Sequence, residues 1–101
     1  MVGRTPCEAA AQEAFEEAGV IGDINEIPLG AYDYVKFLKS GAGAPCRVTV
    51  YAMAVTEELL EWPEMEQRTT KWFGWFEAAA VVHETGLKAL IHKFGADFGK
   101  T

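Results

Sequence analysis

The sequence predicts an α+β fold, and three observations carry that expectation. A helix with a strong start signal opens the chain, two β-rich segments joined by a Gly-rich loop fill its middle, and an amphipathic helix stands near its end. The 101 residues are 50% hydrophobic and 24% charged, with ten Gly and four Pro, which excludes disorder, collagen-like repeats and a disulfide-dense miniprotein. That length predicts one domain over residues 1–101, because it leaves no room for two cores.

Thr5-Pro6-Cys7-Glu8 has the spacing of a capping box, with Thr5 at the N-cap, Pro6 at the first helical position and Glu8 three residues after the cap. Strong helix formers follow through AAAQEAFEEA, and Gly19 stands where a left-handed C-cap ends a helix, so the helix is expected over about 6–18. Gly22-Asp23 reads as a turn. Residues 26–38, EIPLGAYDYVKFL, are rich in Ile, Tyr, Val and Phe and alternate from Leu29 onward, which predicts a strand. The loop Lys39–Pro45 follows. CRVTVYAMAV then places Val48, Val50, Ala52 and Ala54 on one face and Arg47, Thr49, Tyr51 and Met53 on the other. Two such segments around a Gly-rich loop predict an antiparallel hairpin.

Residues 56–67 are polar and acidic, and Trp62-Pro63 interrupts any long helix. A third strand is expected over about Thr69–Phe76, with Trp72, Phe73, Trp75 and Phe76 in it, then a short helix over Glu77–Val82. A last helix is expected over Glu84–Phe94, because Leu87, Leu90, Ile91 and Phe94 follow the i, i+3, i+4, i+7 rule, with a fraying tail after Gly95.

Fifteen acidic against nine basic residues give a net charge of −6. That balance speaks against a nucleic-acid polymer or an anionic membrane as partner, while leaving room for local basic groups that hold a phosphate. No apolar run approaches the ~18–20 residues of a membrane span, and the N-terminus shows no secretory h-region. Cys7 and Cys46 are too few for a disulfide framework or zinc site and read as free thiols. A cytoplasmic location is the resulting expectation.

Glu13, Glu16 and Glu17 fall within about 100° of arc on one face of the first helix. Like charges at i,i+3 and i,i+4 cost a helix roughly 0.2–0.5 kcal/mol per pair, and this cluster stands toward the C-terminal end, where the macrodipole disfavours anions. Acidic runs on helices are usually solvated faces. Clustered oxygen donors also suit a hard divalent cation such as Mg²⁺ or Mn²⁺.

The letters around them decide between those readings. QEAFEEAGV resembles the core of the Nudix box, GX5EX7REUXEEXGU, where U is aliphatic. Glu13 matches the Glu of RE, Glu16 and Glu17 match the EE pair, Gly19 the last Gly and Val20 the closing aliphatic position. The order of a strand PCRVTVYAMAV, an acidic segment, a Trp-Phe segment and a final helix is similar to the diphosphoinositol and diadenosine polyphosphate phosphohydrolase branch, over roughly residues 3–95.

The resemblance implies an α/β/α sandwich with a mixed sheet, a box helix and a C-terminal helix. It implies hydrolysis of a diphosphate linkage in a nucleoside or inositol polyphosphate, with Glu13, Glu16 and Glu17 as metal ligands and catalytic residues for Mg²⁺ or Mn²⁺. Arg4, Arg47 and Arg68 are the expected phosphate contacts, ahead of Lys36 and Lys39. Glu64 and Glu66 are outside candidates for the general base. Tyr32, Tyr34 and Tyr51 are stacking candidates whose plainer reading is strand packing, His83 and His92 match no metal spacing, and Cys7 has no His partner for thiol catalysis.

Two departures from the box matter. Its first Gly falls before Met1, so the strands that precede the box are expected to be missing and Met1 to be an internal Met of a longer reading frame. Arg4 stands where the first Glu belongs, and Gln12 replaces the Arg of RE; an amide can hydrogen-bond a carboxylate but brings no charge. A domain that has lost catalysis and serves binding or dimerisation is therefore the alternative. A shortened sheet also leaves Trp72, Phe73, Trp75 and Phe76 short of cover, which predicts a homodimer. Coding sequence in frame directly upstream of the Met1 codon is the expected genomic observation, and stop codons there would remove the internal-start expectation.

Overall fold

The computed structural model describes residues 3–98. Met1, on which the internal-start expectation rests, lies outside them. The elements run α1 (Pro6–Ala18), β1 (Val20–Ile24), β2 (Gly30–Phe37), β3 (Gly43–Val50), β4 (Met53–Glu58), α2 (Trp75–Val81) and α3 (Thr85–Phe98). The fold is α+β. No helix among the described residues is long and apolar enough to cross a membrane. The chain forms two compact units. One comprises the described residues up to Pro28 together with Tyr51–Trp72; the other comprises Leu29–Val50 and the residues from Phe73 onward.

In the first unit, α1 has the expected bounds and caps. The Glu8 N–H donates to Thr5 Oγ1 at 3.2 Å while the Thr5 N–H donates to Glu8 Oε1 at 2.9 Å, so two otherwise orphaned donors are satisfied reciprocally. Gly19 closes the helix in the left-handed region, with φ 67°, and its N–H returns to the Phe15 carbonyl at 3.0 Å. The next segment departs from the expected turn: β1 runs straight through Gly22-Asp23 and pairs antiparallel with β4. Gly22 lies against the Ala54 backbone, where a Cβ would overlap the carbonyl, so this glycine serves close approach rather than a turn. Glu57 faces Ile21 and Val55 faces Gly22, leaving Thr56 as a bulge whose Oγ1 donates to the Ile21 carbonyl at 3.3 Å.

In the second unit, β2 and β3 form the expected hairpin in continuous register from Gly30↔Val50 to Phe37↔Gly43. The strand starts at Gly30 rather than at Glu26. Asn25 Oδ1 accepts the Ile27 N–H at 3.0 Å in a side-chain turn, and Pro28 has no N–H to give a ladder. At the other end CRVTVYAMAV is not one strand: β3 stops at Val50 and β4 begins at Met53, each in its own ladder. The sheet structure is accordingly two antiparallel pairs, β1-β4 and β2-β3, in place of the expected mixed sheet.

The expected third strand over Thr69–Phe76 does not form. Gly74 instead caps α2, which starts at Trp75 and runs through three alanines with high helix propensity. Of the aromatic residues that suggested a strand, Trp75 finds cover against a helix: its ring packs where a Cβ on Gly95 of α3 would stand, and it meets His92 edge-on at 5.5 Å, while Trp72, Phe73 and Phe76 stay exposed. Helix α3 extends through the expected fraying point to Phe98 because Gly95 is buried under that ring. Its half-buried stripe is Leu87, Leu90, Ile91 and Phe94, as the spacing predicts. Lys88 Nζ donates to the Ala79 carbonyl at 2.8 Å and the Ala80 carbonyl at 3.4 Å, satisfying the open end of α2. Phe76 also meets His92 edge-on at 5.9 Å, which gives that histidine a packing role.

Thr5→Ala removes the cap and is expected to lower unfolding stability by about 1 kcal/mol. Accepting the Thr5 backbone N–H holds the Glu8 carboxyl below its ordinary pKa. That contribution is fully present above the ordinary Glu range and is lost as pH falls through the lowered value. Urea midpoints of the parent and of Glu8→Gln, which removes the titrating acceptor, should therefore converge between neutral and strongly acidic pH; a gap that is constant with pH would contradict the reciprocal cap.

Candidate functional site

Glu13, Glu16 and Glu17 lie on α1, Glu13 exposed and the other two half-buried. The sequence places them there because the capping box fixes the helix start and Gly19 fixes its end. Their surroundings come from the segment after β4. The Leu59 N–H donates to the Gly19 carbonyl at 2.8 Å, and the Glu64 N–H donates to the Glu16 carbonyl at 2.9 Å. Those two bonds lay residues 59–64 along the end of α1. Trp62 then packs on Gly19, in space that any Cβ at position 19 would fill.

Arg68 completes the arrangement. Its Nε contacts Glu64 Oε1 at 2.9 Å and its Nη1 contacts Glu17 Oε1 at 3.2 Å, so one guanidinium bridges the loop and the helix. The Glu64 carboxylate, first, and then the Glu17 charge raise the Arg68 pKa further above its already high ordinary value. Arg68 was expected to contact phosphate; in the structure it contacts two carboxylates.

The donor set of Glu13, Glu16 and Glu17 has the right chemistry for a hard divalent cation, which takes carboxylate oxygen. The arrangement does not fit one as it stands. Among the described residues no group of three His, Cys, Asp or Glu side chains is placed to hold a metal ion. Glu17 is engaged by Arg68 instead. Glu64, a general-base candidate, is engaged by the same guanidinium, while Glu66 is exposed.

Arg4 is exposed just ahead of the Thr5 cap. Arg47 belongs to the second unit, where it grips Asp33 directly across the hairpin, Nε to Oδ1 at 3.0 Å and Nη2 to Oδ2 at 3.2 Å. The Arg47 hydrogen bond holds the Asp33 carboxyl below its usual range. With both side chains about two-thirds exposed or more, this bidentate pair contributes little to stability. Tyr32 and Tyr34 stack obliquely on β2 with ring centres 6.4 Å apart, which favours the packing reading. Cys7 is buried beside the Thr5 hydroxyl, and Cys46 is half-buried opposite Tyr34.

One feature escaped the sequence. Beside the carboxylate face, the first unit contains a cavity of about 520 Å³ lined by Ala14 and Ala18, by Met53 and Val55, and by the rings of Trp62 and Trp72. Trp72 Nε1 donates to Glu58 Oε1 at 2.6 Å at its wall. Trp62 Nε1 is shielded from solvent with no hydrogen-bond partner among the described residues. An apolar chamber with two indoles suits a flat, partly apolar group. The sequence displayed both tryptophans, but their convergence depends on Gly19 and the loop bonds, which leave no periodic mark.

Comparison with known proteins gives consistent relatives. The chain is 41% identical over 91 residues to Nudix hydrolase 16, mitochondrial, of Arabidopsis thaliana, a match covering 86% of this chain and 50% of that protein. It is 34% identical over 95 residues to Nudix hydrolase 13, mitochondrial, of the same plant (89% and 47%). With Nudix hydrolase 12, mitochondrial, the identity is 33% over 93 residues (89% and 46%). The chain thus spans about half the length of the curated relatives it matches. No protein-family model matches, and no solved structure gives a significant match.

Gly19→Ala tests the joint between helix and loop. An L-residue at the left-handed C-cap costs roughly 1–2 kcal/mol, and here the new methyl also displaces Trp62. The expected result is a lower thermal midpoint together with a shifted tryptophan emission maximum. A destabilised variant with unchanged emission would mean that Trp62 does not depend on this glycine.

Proposed function

This chain belongs to the Nudix hydrolase superfamily, and from that membership we propose that the protein hydrolyses a diphosphate linkage in a phosphorylated small molecule, a nucleoside or inositol polyphosphate. The observation that carries the reading is the placement of Glu13, Glu16 and Glu17 on one helix closed by the left-handed Gly19, at the spacing of the box. Mg²⁺ or Mn²⁺ at these carboxylates is part of the proposal; such an ion, when bound, neutralises charge on the diphosphate oxygens. The chain's own residues supply the rest. Water adds to one phosphorus, the bridging P–O bond breaks, and the proton released by the water passes to a carboxylate, for which exposed Glu66 is available. Arg4, Arg47 and Arg68 are the phosphate contacts proposed; Arg47 and Arg68 would exchange a carboxylate partner for the phosphate.

The second reading, a binding or dimerisation module without catalysis, is favoured by two observations. No ligand group for a metal is assembled among the described residues, and Gln12 brings no charge to the carboxylates. Self-association is part of the proposal in either case. Leu60, Phe37, Ile27, Phe76 and Trp72 are all more than 60% exposed, an apolar load that a partner copy would cover. The net charge of −6 supports a small phosphorylated partner over a nucleic-acid polymer or membrane. The free thiols of Cys7 and Cys46 support a reducing compartment such as the cytoplasm.

The deciding measurement is Mg²⁺-dependent phosphate release from a panel of dinucleoside and inositol polyphosphates. Turnover that falls at least about 100-fold in Glu17→Gln, a loss typical of removing a group that stabilises transition-state charge, supports hydrolysis. A folded chain that turns over none of the panel supports the binding reading. Light scattering on the eluting protein at micromolar concentration is expected to give a dimer, and a stable monomer would remove that part of the proposal.

A further inference from the structure

The first unit keeps a cavity of about 520 Å³ that its own side chains do not fill. On the helix side it is bordered by Ala14 and Ala18, four residues apart and so stacked on one face of α1, and neither side chain reaches beyond a methyl. Two indoles also line it, each held by a different means. Trp62 is seated on the bare Cα of Gly19. Trp72 is 64% exposed, yet its Nε1 donates to Glu58 Oε1 at 2.6 Å, which fixes the ring at the cavity wall. Rings held in place before a ligand arrives spare binding part of its ordering cost. Apart from the indoles, the polar side chains of the lining among the described residues are Glu58, Thr70 and Lys71.

We propose that this cavity takes the planar ring of a nucleobase bearing an exocyclic amine, with Trp72 as its stacking surface and Glu58 as the acceptor of the amine. Its volume falls within the ~300–1,000 Å³ of small-molecule sites. Apolar walls and fixed indoles favour a flat π-system, whose faces ask for no hydrogen bonds. They offer little to a polyol ring with phosphates around its rim, which calls for several cations where the described lining has Lys71 alone. The edge of the base is read by charge. An ionised carboxylate accepts hydrogen bonds and donates none, and one bond from Trp72 does not exhaust its oxygens. The group that meets Glu58 must therefore be a donor. The amine of adenine is one; the carbonyl that replaces it in hypoxanthine would set acceptor against acceptor. On the reading that the chain hydrolyses a diphosphate linkage, on which this last step rests, the substrate is a nucleoside polyphosphate rather than an inositol one. The ring site itself uses no metal ion and none of Glu13, Glu16 or Glu17.

The test is titration of the full chain with adenosine in excess chelator, read by calorimetry and by tryptophan emission. Saturable binding with a change in emission is expected. Trp72→Ala should weaken it by about 5- to 150-fold, the range of one base–aromatic stack, and Trp72→Phe should retain most of the affinity. Inosine should bind the parent at least about fivefold more weakly than adenosine, as expected for an unsatisfied acceptor. That preference should vanish in Glu58→Gln, whose amide donates as well as accepts. Ala14→Leu fills the cavity from the helix side and is expected to keep or raise the thermal midpoint while abolishing adenosine binding. No saturation by adenosine up to about 10 mM, a level too weak for recognition, overturns the proposal. So does unchanged affinity in Trp72→Ala or in a folded Ala14→Leu, and equal affinity of the parent for adenosine and inosine removes Glu58 as the reader of the amine. Failure of the hydrolysis reading looks different, because adenosine has no phosphate: it would still bind while the polyphosphate panel is not turned over. Turnover of inositol polyphosphates by a chain that does not bind adenosine would leave hydrolysis standing and remove the ring site.

Discussion

The geometry of the first unit depends on the left-handed backbone of Gly19. Its N–H closes α1 on the Phe15 carbonyl, its own carbonyl receives the Leu59 N–H, and its bare Cα carries the Trp62 ring. The Trp62 contact needs a residue without a Cβ, and the positive φ that closes the helix is one that glycine adopts at low cost. The helix end, the entry into β1 and the docking of residues 59–64 follow from that single position. So does the cavity, since two of its walls are Gly19's helix and Gly19's indole.

Charge sets the second constraint. A helix that gathers three carboxylates near its C-terminal end gives up local stability, and the structure answers with one guanidinium brought from outside the helix. The pairing is economical because Arg68 also satisfies Glu64, four residues before it, so the arginine belongs to its own loop as much as to the helix. In the second unit the same residue types do something plainer. Arg47 and Asp33 face each other in register across a hairpin and stay in solvent. The two arginines look alike in sequence and differ in what their neighbours bring near them.

The elements that were legible in the sequence are those specified locally. Thr5 to Glu8 and Gly19 define α1 to the residue, Leu87 to Phe94 define the buried stripe of α3, and the Gly-rich loop defines the hairpin. The box spacing on α1, read from the same letters, led to the family. Elements decided by distant partners were not legible. Gly22 resembles a turn glycine until Ala54 is seen against it, and Trp72-Phe73-Gly74-Trp75-Phe76 resembles a strand until Gly95 offers Trp75 a seat. The Arg68–Glu17 contact joins positions far apart in the chain, and nothing in periodicity or propensity marks it.

The short helix α2 has a consequence of its own for the order in which the chain assembles. Its seven residues are too few to persist alone, since an isolated helix of fewer than about 12 residues is marginal in water. What holds it comes from α3: Lys88 takes the carbonyls of Ala79 and Ala80, and Gly95 seats Trp75. Helix α3 is twice as long and carries its own apolar stripe. The later helix in the chain thus supplies the seat of the earlier one, and α2 depends on residues that leave the ribosome after it.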